Sequence, residues 1–171
     1  VELMDTSLSE LLGSRADVTW ASPLLHIAAD VAKGTAYLHG RNILHRDLKP
    51  GNVLLKQEQS RSVPFLAKIC DFSASKKVTN AFGTAEQTKL GTPSYIAPEV
   101  LRQEMYDAGC DVWSYGCLLV HCAMREPPYG GNLSGHDALL LMHKIAQNEV
   151  SPLDRFHASA AAKAVDGFSD E

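Results

Sequence analysis

The sequence predicts a mainly α-helical fold with short β-hairpins, and three observations support this prediction. Apolar side chains recur every three or four positions through residues 24–38, which is the pattern of one buried helix face. Residues 111–124 are apolar on nearly every side, which predicts a helix in the centre of the core. Two short apolar runs, residues 52–55 and 65–72, flank a polar turn, and this arrangement is typical of a hairpin.

The ends of the first long helix are marked in the sequence. Ser22 suits the N-cap, Pro23 suits the first helical position, and Gly40 suits the C-terminal cap. Two further helices are predicted, a short one at residues 7–12 and an amphipathic one at residues 136–147. The apolar face of the amphipathic helix includes Leu141, Met142 and Ile145.

Length and composition narrow the class of protein. The 171 residues, 45% hydrophobic and 21% charged, suit one soluble globular domain or a large part of one. A net charge of −4 argues against a nucleic-acid partner. The most apolar run, residues 112–124, is shorter than the roughly 20 residues of a membrane span, and we expect no membrane segment. Four cysteines without a C-x-x-C pair indicate free thiols in a reducing, cytoplasmic compartment.

Three short motifs occur in order along the chain. Residues 45–52 read HRDLKPGN, residues 71–72 read DF, and residues 97–99 read APE. In this order they resemble the signature of the eukaryotic protein kinases, and the resemblance covers nearly the whole chain. It implies the fold of the kinase C-terminal lobe. Residues 1–171 would then be a partial kinase domain that contains the hinge, the catalytic loop, the activation segment and the helices that follow.

The resemblance assigns roles to four polar side chains. Asp47 would accept the proton of the substrate hydroxyl, and Lys49 would offset charge on the transferred phosphoryl group. Asn52 and Asp71 would supply oxygen ligands to Mg²⁺, which prefers such donors. Each residue taken alone is more typical of a turn or a solvated charge, so the ordered combination carries the prediction. The expected cofactors are therefore ATP and Mg²⁺.

The loop sequences also imply a substrate class. HRDLKPGN and GTPSYIAPE are similar to the serine/threonine kinases, and HGRNILHRDLK is similar to the tyrosine-kinase-like group among them. By this resemblance, Thr92 contacts Asp47 and Lys49 and shapes the pocket beside the phosphoacceptor. The expected reaction is transfer of the ATP γ-phosphate to serine or threonine hydroxyls of a protein substrate.

The start of the chain, VELM, resembles the kinase hinge. Backbone groups near Glu2 and Met4 would hydrogen-bond the edge of the adenine, and Leu54 would pack beneath the ring. Leu54 is equally compatible with a role as an ordinary core residue.

A long polar segment, residues 73–90, predicts a surface loop of the kind that is usually functional or mobile. By resemblance, Thr88 is the expected activating phosphosite in this loop, and Thr84 is the alternative. The cations expected to bind the phosphate are Arg46 and Lys76.

His45 is expected to have a structural role and not that of a general base. By the resemblance it packs beneath Phe72, and Asp111 helps to hold the backbone there. Lys33 lies in VAK, which is similar to the ATP-binding lysine motif, but it falls on a predicted helix and is rejected. No function is assigned to four other histidines, His39, His121, His136 and His143.

Several departures from the kinase pattern bear on activity. Ser73 replaces the usual glycine after DF, and a serine at positive φ would cost about 1 kcal/mol. Glu99 lacks a clear arginine partner, because Arg155 comes too early in the chain. The sequence contains no G-x-G-x-x-G loop and no strand-borne lysine, so the N-terminal lobe is expected to be absent and the chain alone inactive. Two alternatives stay open, a pseudokinase or scaffold, and a truncated fragment acting only as a binding module.

Overall fold

The computed structural model describes residues 2–14, 18–19, 23–58, 65–78, 91–131 and 133–158. This part of the chain is mainly helical with small sheets, as predicted. Its helices are α1 (Leu8–Ser14), α2 (Leu24–His39), α3 (Pro98–Leu101), α4 (Gly109–Met124), α5 (Gly135–Ala146) and α6 (Asp154–Ala158). Its strands are β1 (Thr6–Ser7), β2 (Ile43–Leu44), β3 (Val53–Gln57), β4 (Phe65–Ile69) and β5 (Lys76–Lys77). Short 3₁₀ turns lie at Pro50–Asn52, Phe72–Ala74 and Pro93–Tyr95.

Helix α1 starts with a reciprocal pair of hydrogen bonds. The Glu10 N–H donates to the Ser7 hydroxyl at 3.2 Å, and the Ser7 N–H donates to a Glu10 carboxylate oxygen at 2.9 Å. This capping box satisfies backbone donors that the start of a helix otherwise leaves unpaired. The short helix predicted at residues 7–12 is confirmed, and it extends to Ser14.

Helix α2 buries the face that its periodicity predicts. It begins at Leu24, because the backbone of Pro23 (φ −100°, ψ 0°) is not helical, so the predicted placement of Pro23 inside the helix is wrong by one residue. The predicted cap Ser22 lies outside the described residues. Gly40 is the C-cap, and its N–H donates to the Ala36 carbonyl at 2.9 Å. The buried residues are Leu24, Ile27, Ala28, Val31, Thr35 and Leu38.

A three-stranded antiparallel sheet packs against α2 through β4. β3 pairs with β4, with Val53 opposite Ile69, and this ladder confirms the predicted hairpin. β1 pairs with the other edge of β3, which gives the order β1-β3-β4, and a separate ladder joins β2 to β5. Because Asn52 precedes β3 and Asp71 follows β4, the hairpin brings these two side chains to one end of the sheet.

Helix α4 is not buried on every side. Leu118 is fully buried, whereas Val112 is 61% exposed. Successive side chains of a helix project about 100° apart, so a helix that points Asp111 and Ser114 inward turns Val112 outward. The prediction of a helix buried all round is therefore wrong at its first turn.

Helix α5 is amphipathic, as its sequence predicts. Leu141 and Ile145 are buried, and Met142 is partly buried. Leu139, on the other side of the helix, is 63% exposed. The predicted apolar face is confirmed.

No helix in the described ranges is long and apolar enough to cross a bilayer. All four cysteines lie in these ranges and are free, namely Cys70, Cys110, Cys117 and Cys122. The expectation of free thiols is therefore confirmed.

Candidate active site

The loop between β2 and β3 is held in place by one buried carboxylate. Asp111, in the first turn of α4, is fully buried, and it accepts the N–H of His45 at 2.8 Å and the N–H of Arg46 at 2.7 Å. His39 also contacts this carboxylate, with 2.9 Å between Nε2 and Oδ2. Arg46 has a left-handed backbone (φ 66°), and the two N–H bonds fix that unusual bend. Sequence reasoning assigned no partner to His39, and the structure corrects this.

His45 packs below the turn that follows β4. Its ring is fully buried and meets Phe72 edge-on, with 5.3 Å between ring centroids. The Nδ1 atom accepts the Asp47 N–H at 3.3 Å, so Nε2 carries the proton and donates to the Cys70 carbonyl at 3.0 Å. Both nitrogens therefore serve the backbone, which agrees with the expected structural role.

Asp47 lies at the centre of a closed set of hydrogen bonds. Its Oδ1 accepts the Thr92 N–H at 3.0 Å and the Thr92 hydroxyl at 3.1 Å. Its Oδ2 accepts Lys49 Nζ at 2.8 Å and Asn52 Nδ2 at 2.9 Å. Lys49 Nζ also donates to the Thr92 hydroxyl at 2.6 Å, which closes the ring. The carboxylate is thereby held in one orientation beside a fixed positive charge.

Asn52 keeps its amide oxygen available. Its Nδ2 donates to the Asp47 carbonyl at 2.8 Å as well as to the Asp47 carboxylate. Asn52 is 6% exposed, and within the described residues its side chain only donates, so that its amide oxygen accepts no hydrogen bond there. The amide is therefore oriented with its oxygen unpaired, and such an oxygen suits a cation.

Asp71 follows β4 in a left-handed conformation (φ 61°, ψ 76°) and caps the 3₁₀ turn Phe72–Ala74. Its carboxylate is exposed and accepts the Ser73 N–H at 3.2 Å. Hydrogen bonding by the Ser73 side chain and backbone lowers the pKa of Asp71, and the Lys49 charge lowers it further. Since the Cys70 N–H donates to the Asn52 carbonyl at 3.0 Å, the two candidate metal ligands lie on directly bonded segments.

Ser73 does not carry the strain that its identity suggests. It lies inside the 3₁₀ turn, and the positive φ of this segment belongs to Asp71 and not to Ser73. The expected cost of about 1 kcal/mol for a left-handed serine therefore does not arise in this conformation.

Gly91 makes a close approach that sequence reasoning missed. A Cβ at this position would lie 2.8 Å from the Arg46 carbonyl and 3.1 Å from Asp47 Oδ1. Only glycine lets the segment before Thr92 lie directly on the loop of residues 45–52. The available signal was the glycine immediately before Thr92.

The predicted adenine-binding residues lie in the central strand β3 and in the segment that precedes β1. The Asp5 N–H donates to the Leu55 carbonyl at 2.9 Å, which aligns the start of the chain with β3. Leu54 is partly buried in β3. The Glu2 side chain pairs with Lys68 and Lys56, and hydrogen bonding to Lys68 is the main cause of its lowered pKa.

The predicted phosphosites Thr88 and Thr84 lie outside the described residues. Of their expected partners, Arg46 donates through Nε to the Ala74 carbonyl at 2.6 Å and through Nη1 to the Tyr106 hydroxyl at 2.8 Å. Lys76 pairs with Leu44 across the β2–β5 ladder. Since Leu44 is two residues before Arg46, the ladder brings Lys76 near the arginine. Sequence reasoning did not anticipate the contact with Tyr106.

Glu99 and Arg155 do not form a pair, which agrees with the expectation from the sequence that Arg155 comes too early in the chain. Arg155 donates to Glu126 at 2.8 Å and to the Pro127 carbonyl at 3.3 Å. Glu99 is partly exposed at the start of α3. A fully buried, unpaired carboxylate would be destabilising, and Glu99 does not bear this cost in full because it is only partly buried.

Three features agree with the architecture of a protein kinase site. Asp47 is fixed in its loop, Asn52 and Asp71 lie together at the end of the hairpin, and the segment that contains Thr92 folds onto them. Residues 1–166 match the family described as protein kinase domain. The chain belongs to the protein kinase family.

Curated relatives of the chain are named as serine/threonine or related protein kinases. Serine/threonine-protein kinase fused of Drosophila melanogaster is 36% identical over 123 residues, which are 71% of this chain and 14% of the relative. Human mitogen-activated protein kinase kinase kinase 1 is 32% identical over 147 residues, covering 84% of this chain and 9% of the relative. Serine/threonine-protein kinase SKM1 of Saccharomyces cerevisiae is 31% identical over 169 residues, covering 99% and 24%. The chain thus spans a quarter or less of each of these proteins.

Proposed function

We propose that this chain is the C-terminal, catalytic lobe of a serine/threonine protein kinase that transfers the γ-phosphate of ATP to a protein substrate. The observation that carries the proposal is the closed ring of hydrogen bonds among Asp47, Lys49 and Thr92, to which Asn52 is joined through Asp47. Phosphoryl transfer depends mainly on positioning and on charge neutralisation, and this ring supplies both. Residues 1–171 would form part of a kinase domain.

In this proposal Asp47 is the acceptor of the substrate hydroxyl proton. Its carboxylate accepts the Thr92 hydroxyl at 3.1 Å, which supports its capacity to bind a hydroxyl donor. Because the two oxygens already accept four donors, the substrate hydroxyl would take the place of one of them. Lys49 Nζ, 2.8 Å from Asp47, provides the positive charge for the phosphoryl group in transit. Thr92 forms the wall of the pocket in which the acceptor side chain would sit.

The donor set at the end of the hairpin fits Mg²⁺. The unpaired amide oxygen of Asn52 and the exposed carboxylate of Asp71 are hard oxygen ligands on adjacent segments, and Mg²⁺ bound there with ATP would neutralise phosphate charge. The lowered pKa of Asp71 keeps this carboxylate ionised at neutral pH. Leu54 and the backbone near Glu2 and Met4 would bind the adenine.

Control of activity is proposed to involve Thr88, with Thr84 as the alternative. A phosphate on the segment before Gly91 could order that segment against Arg46 and Lys76, because phosphate oxygens accept hydrogen bonds strongly from such cations. The β2–β5 ladder supports this proposal because it brings Lys76 close to Arg46.

The four free thiols are compatible with a cytoplasmic location, which we propose as well.

The test compares two carboxylate variants in the full-length protein that contains this chain. Asp47→Asn should lower the rate of phosphate transfer by roughly 10²–10⁴-fold, the usual contribution of a positioned general base, with little change in the affinity for ATP. Asp71→Asn should weaken Mg·ATP binding, measured by calorimetry. Asp137→Asn, at an exposed position in the first turn of α5, is the control. Normal turnover in both site variants would contradict the assignment. ATP binding without any turnover in the unaltered protein would favour the pseudokinase alternative.

A further inference from the structure

We propose that His121 is a positioning residue that acts through Tyr95 to hold the turn after Thr92, and thereby the phosphoacceptor pocket, against helix α4. The inference rests on the proposed kinase function for its consequence in catalysis. Its geometric part stands on the contacts of the turn alone. Neither His121 nor Tyr95 was assigned a role from the sequence.

Two contacts from α4 reach Tyr95. The Tyr95 hydroxyl lies 2.5 Å from Nδ1 of His121, and the two rings stack with 6.3 Å between centroids and 24° between planes. The Ser114 hydroxyl donates to the Tyr95 carbonyl at 2.7 Å. Tyr95 is 6% exposed, so both its side chain and its backbone are held in the interior.

The direction of the hydroxyl hydrogen bond follows from the burial of both groups. Burial lowers the pKa of His121, against a smaller opposing effect of Glu126, so the ring is neutral at physiological pH. Burial also raises the pKa of Tyr95, so the phenol keeps its proton. The Tyr95 hydroxyl therefore donates to the Nδ1 lone pair of His121.

A short path leads from this contact to the proposed catalytic base. The Tyr95 N–H donates to the Thr92 carbonyl at 2.9 Å and closes the 3₁₀ turn. Thr92 in turn contacts Asp47 through its N–H and its hydroxyl. Because this hydrogen bond closes the turn and Pro93 fixes its own φ within it, a shift of Tyr95 should also move Thr92.

The same helix fixes the other side of the pocket. Asp111 binds the backbone of the catalytic loop, and His121 lies ten residues later on α4, about 15 Å along the helix axis. Helix α4 therefore sets the distance between the catalytic loop and the Thr92 turn at two separate points. If the His121 contact were lost, Ser114 would still hold the turn Pro93–Tyr95 against α4.

Amide hydrogen exchange on the 171-residue chain tests the geometric part. Tyr95→Phe and His121→Leu should each speed exchange of the Thr92 and Tyr95 amides by roughly tenfold, since each removes the partly buried hydrogen bond between Tyr95 and His121. The double variant should exchange no faster than the single variants, because both changes remove the same contact. His143→Leu on the exposed side of α5 is the matched control and should change nothing. Unchanged exchange, or additive effects in the double variant, would overturn the inference.

Steady-state kinetics of the full-length protein tests the consequence. In His121→Leu the KM for a peptide substrate should rise by about three- to tenfold, with the KM for ATP unchanged. His121→Asn places an amide oxygen near the position of Nδ1 and should restore much of the peptide KM. An unchanged peptide KM in an active enzyme would sink the proposal. An unaltered protein without any transferase activity would refute the proposed function and leave the exchange result to stand.

Discussion

At the scale of single residues, the site depends on a few side chains that lie far along the chain from the residues that they contact. Asp111 contributes one buried carboxylate, and its three hydrogen bonds offset the cost of removing that charge from water. The same carboxylate fixes the bend that turns Asp47 toward Thr92. Replacing Asp111 would affect the stability of the fold and the geometry of the site together. A substitution that adds only a methyl group beside the site is therefore a more direct test of the contacts.

Gly91 offers that steric test. In Gly91→Ala the new Cβ would lie 2.8 Å from the Arg46 carbonyl, and a backbone atom cannot rotate away as a side chain can. The expected result is a loss of about 1–3 kcal/mol in the free energy of unfolding, together with weaker contacts between Thr92 and Asp47. Urea denaturation measures the stability, and exchange of the Thr92 amide measures the contact. A stability equal to that of the unaltered chain would show that the close approach is not required.

At the scale of elements, α4 organises the molecule. Its Asp111 binds the loop of residues 45–52, and its Ser114 and His121 bind the turn Pro93–Tyr95. Its Leu118 is buried in the core. One rigid helix thus supports segments that lie more than forty positions apart in the sequence. A change in the stability of this helix should therefore change the free energy of unfolding of the whole site.

Gly116 makes that expectation testable. It lies in the interior of α4, where glycine is unfavourable because it loses more backbone entropy on folding than alanine does. A Cβ at Gly116 would meet nothing within 4 Å. Gly116→Ala should raise the free energy of unfolding by about 0.5–1 kcal/mol, measured by urea denaturation beside Gly91→Ala. The two identical substitutions should have opposite signs, and a loss of stability at Gly116 would contradict the geometry of α4.

At the scale of the whole molecule, the core contains titratable groups that must stay neutral. Burial raises the pKa of Cys117 and of Cys122 to about 12, from an ordinary value of 9.0. Burial also raises the pKa of Cys110 and Tyr95. In each case the folded state favours the protonated form more strongly than the unfolded chain does.

This difference predicts a loss of stability in alkali. The contribution of each thiol is complete below the unfolded pKa near 9.0 and is lost as the pH rises from there toward the folded value near 12. At about pH 10 the loss should be roughly 1.4 kcal/mol for each thiol, measured by urea denaturation across the alkaline range. Cys117→Ala should lose stability less steeply with pH than the unaltered chain. Equal slopes would indicate that this thiol is not protected in the folded state.

The helices and the hairpin could be predicted from the sequence because they depend on local periodicity. The buried face of α2 and the pairing of β3 with β4 follow the apolar spacing directly. The predicted first helical position at Pro23 was wrong by one residue, because the backbone angles at a helix start depend on the chain on either side. Full burial of α4 was wrong because spacing alone does not say which side of an apolar helix is covered.

The sequence by itself determined the mainly helical fold, the family, and the candidate residues Asp47, Lys49, Asn52 and Asp71, since these lie in short motifs with recognisable spacing. Only the tertiary structure decided that Tyr95 contacts His121 and that Gly91 lies against the loop of residues 45–52. The physical reason is that local patterns record which residues are buried and where the chain turns. A hydrogen bond between residues far apart in the chain depends on how the elements pack, and that packing leaves no periodic trace in the sequence.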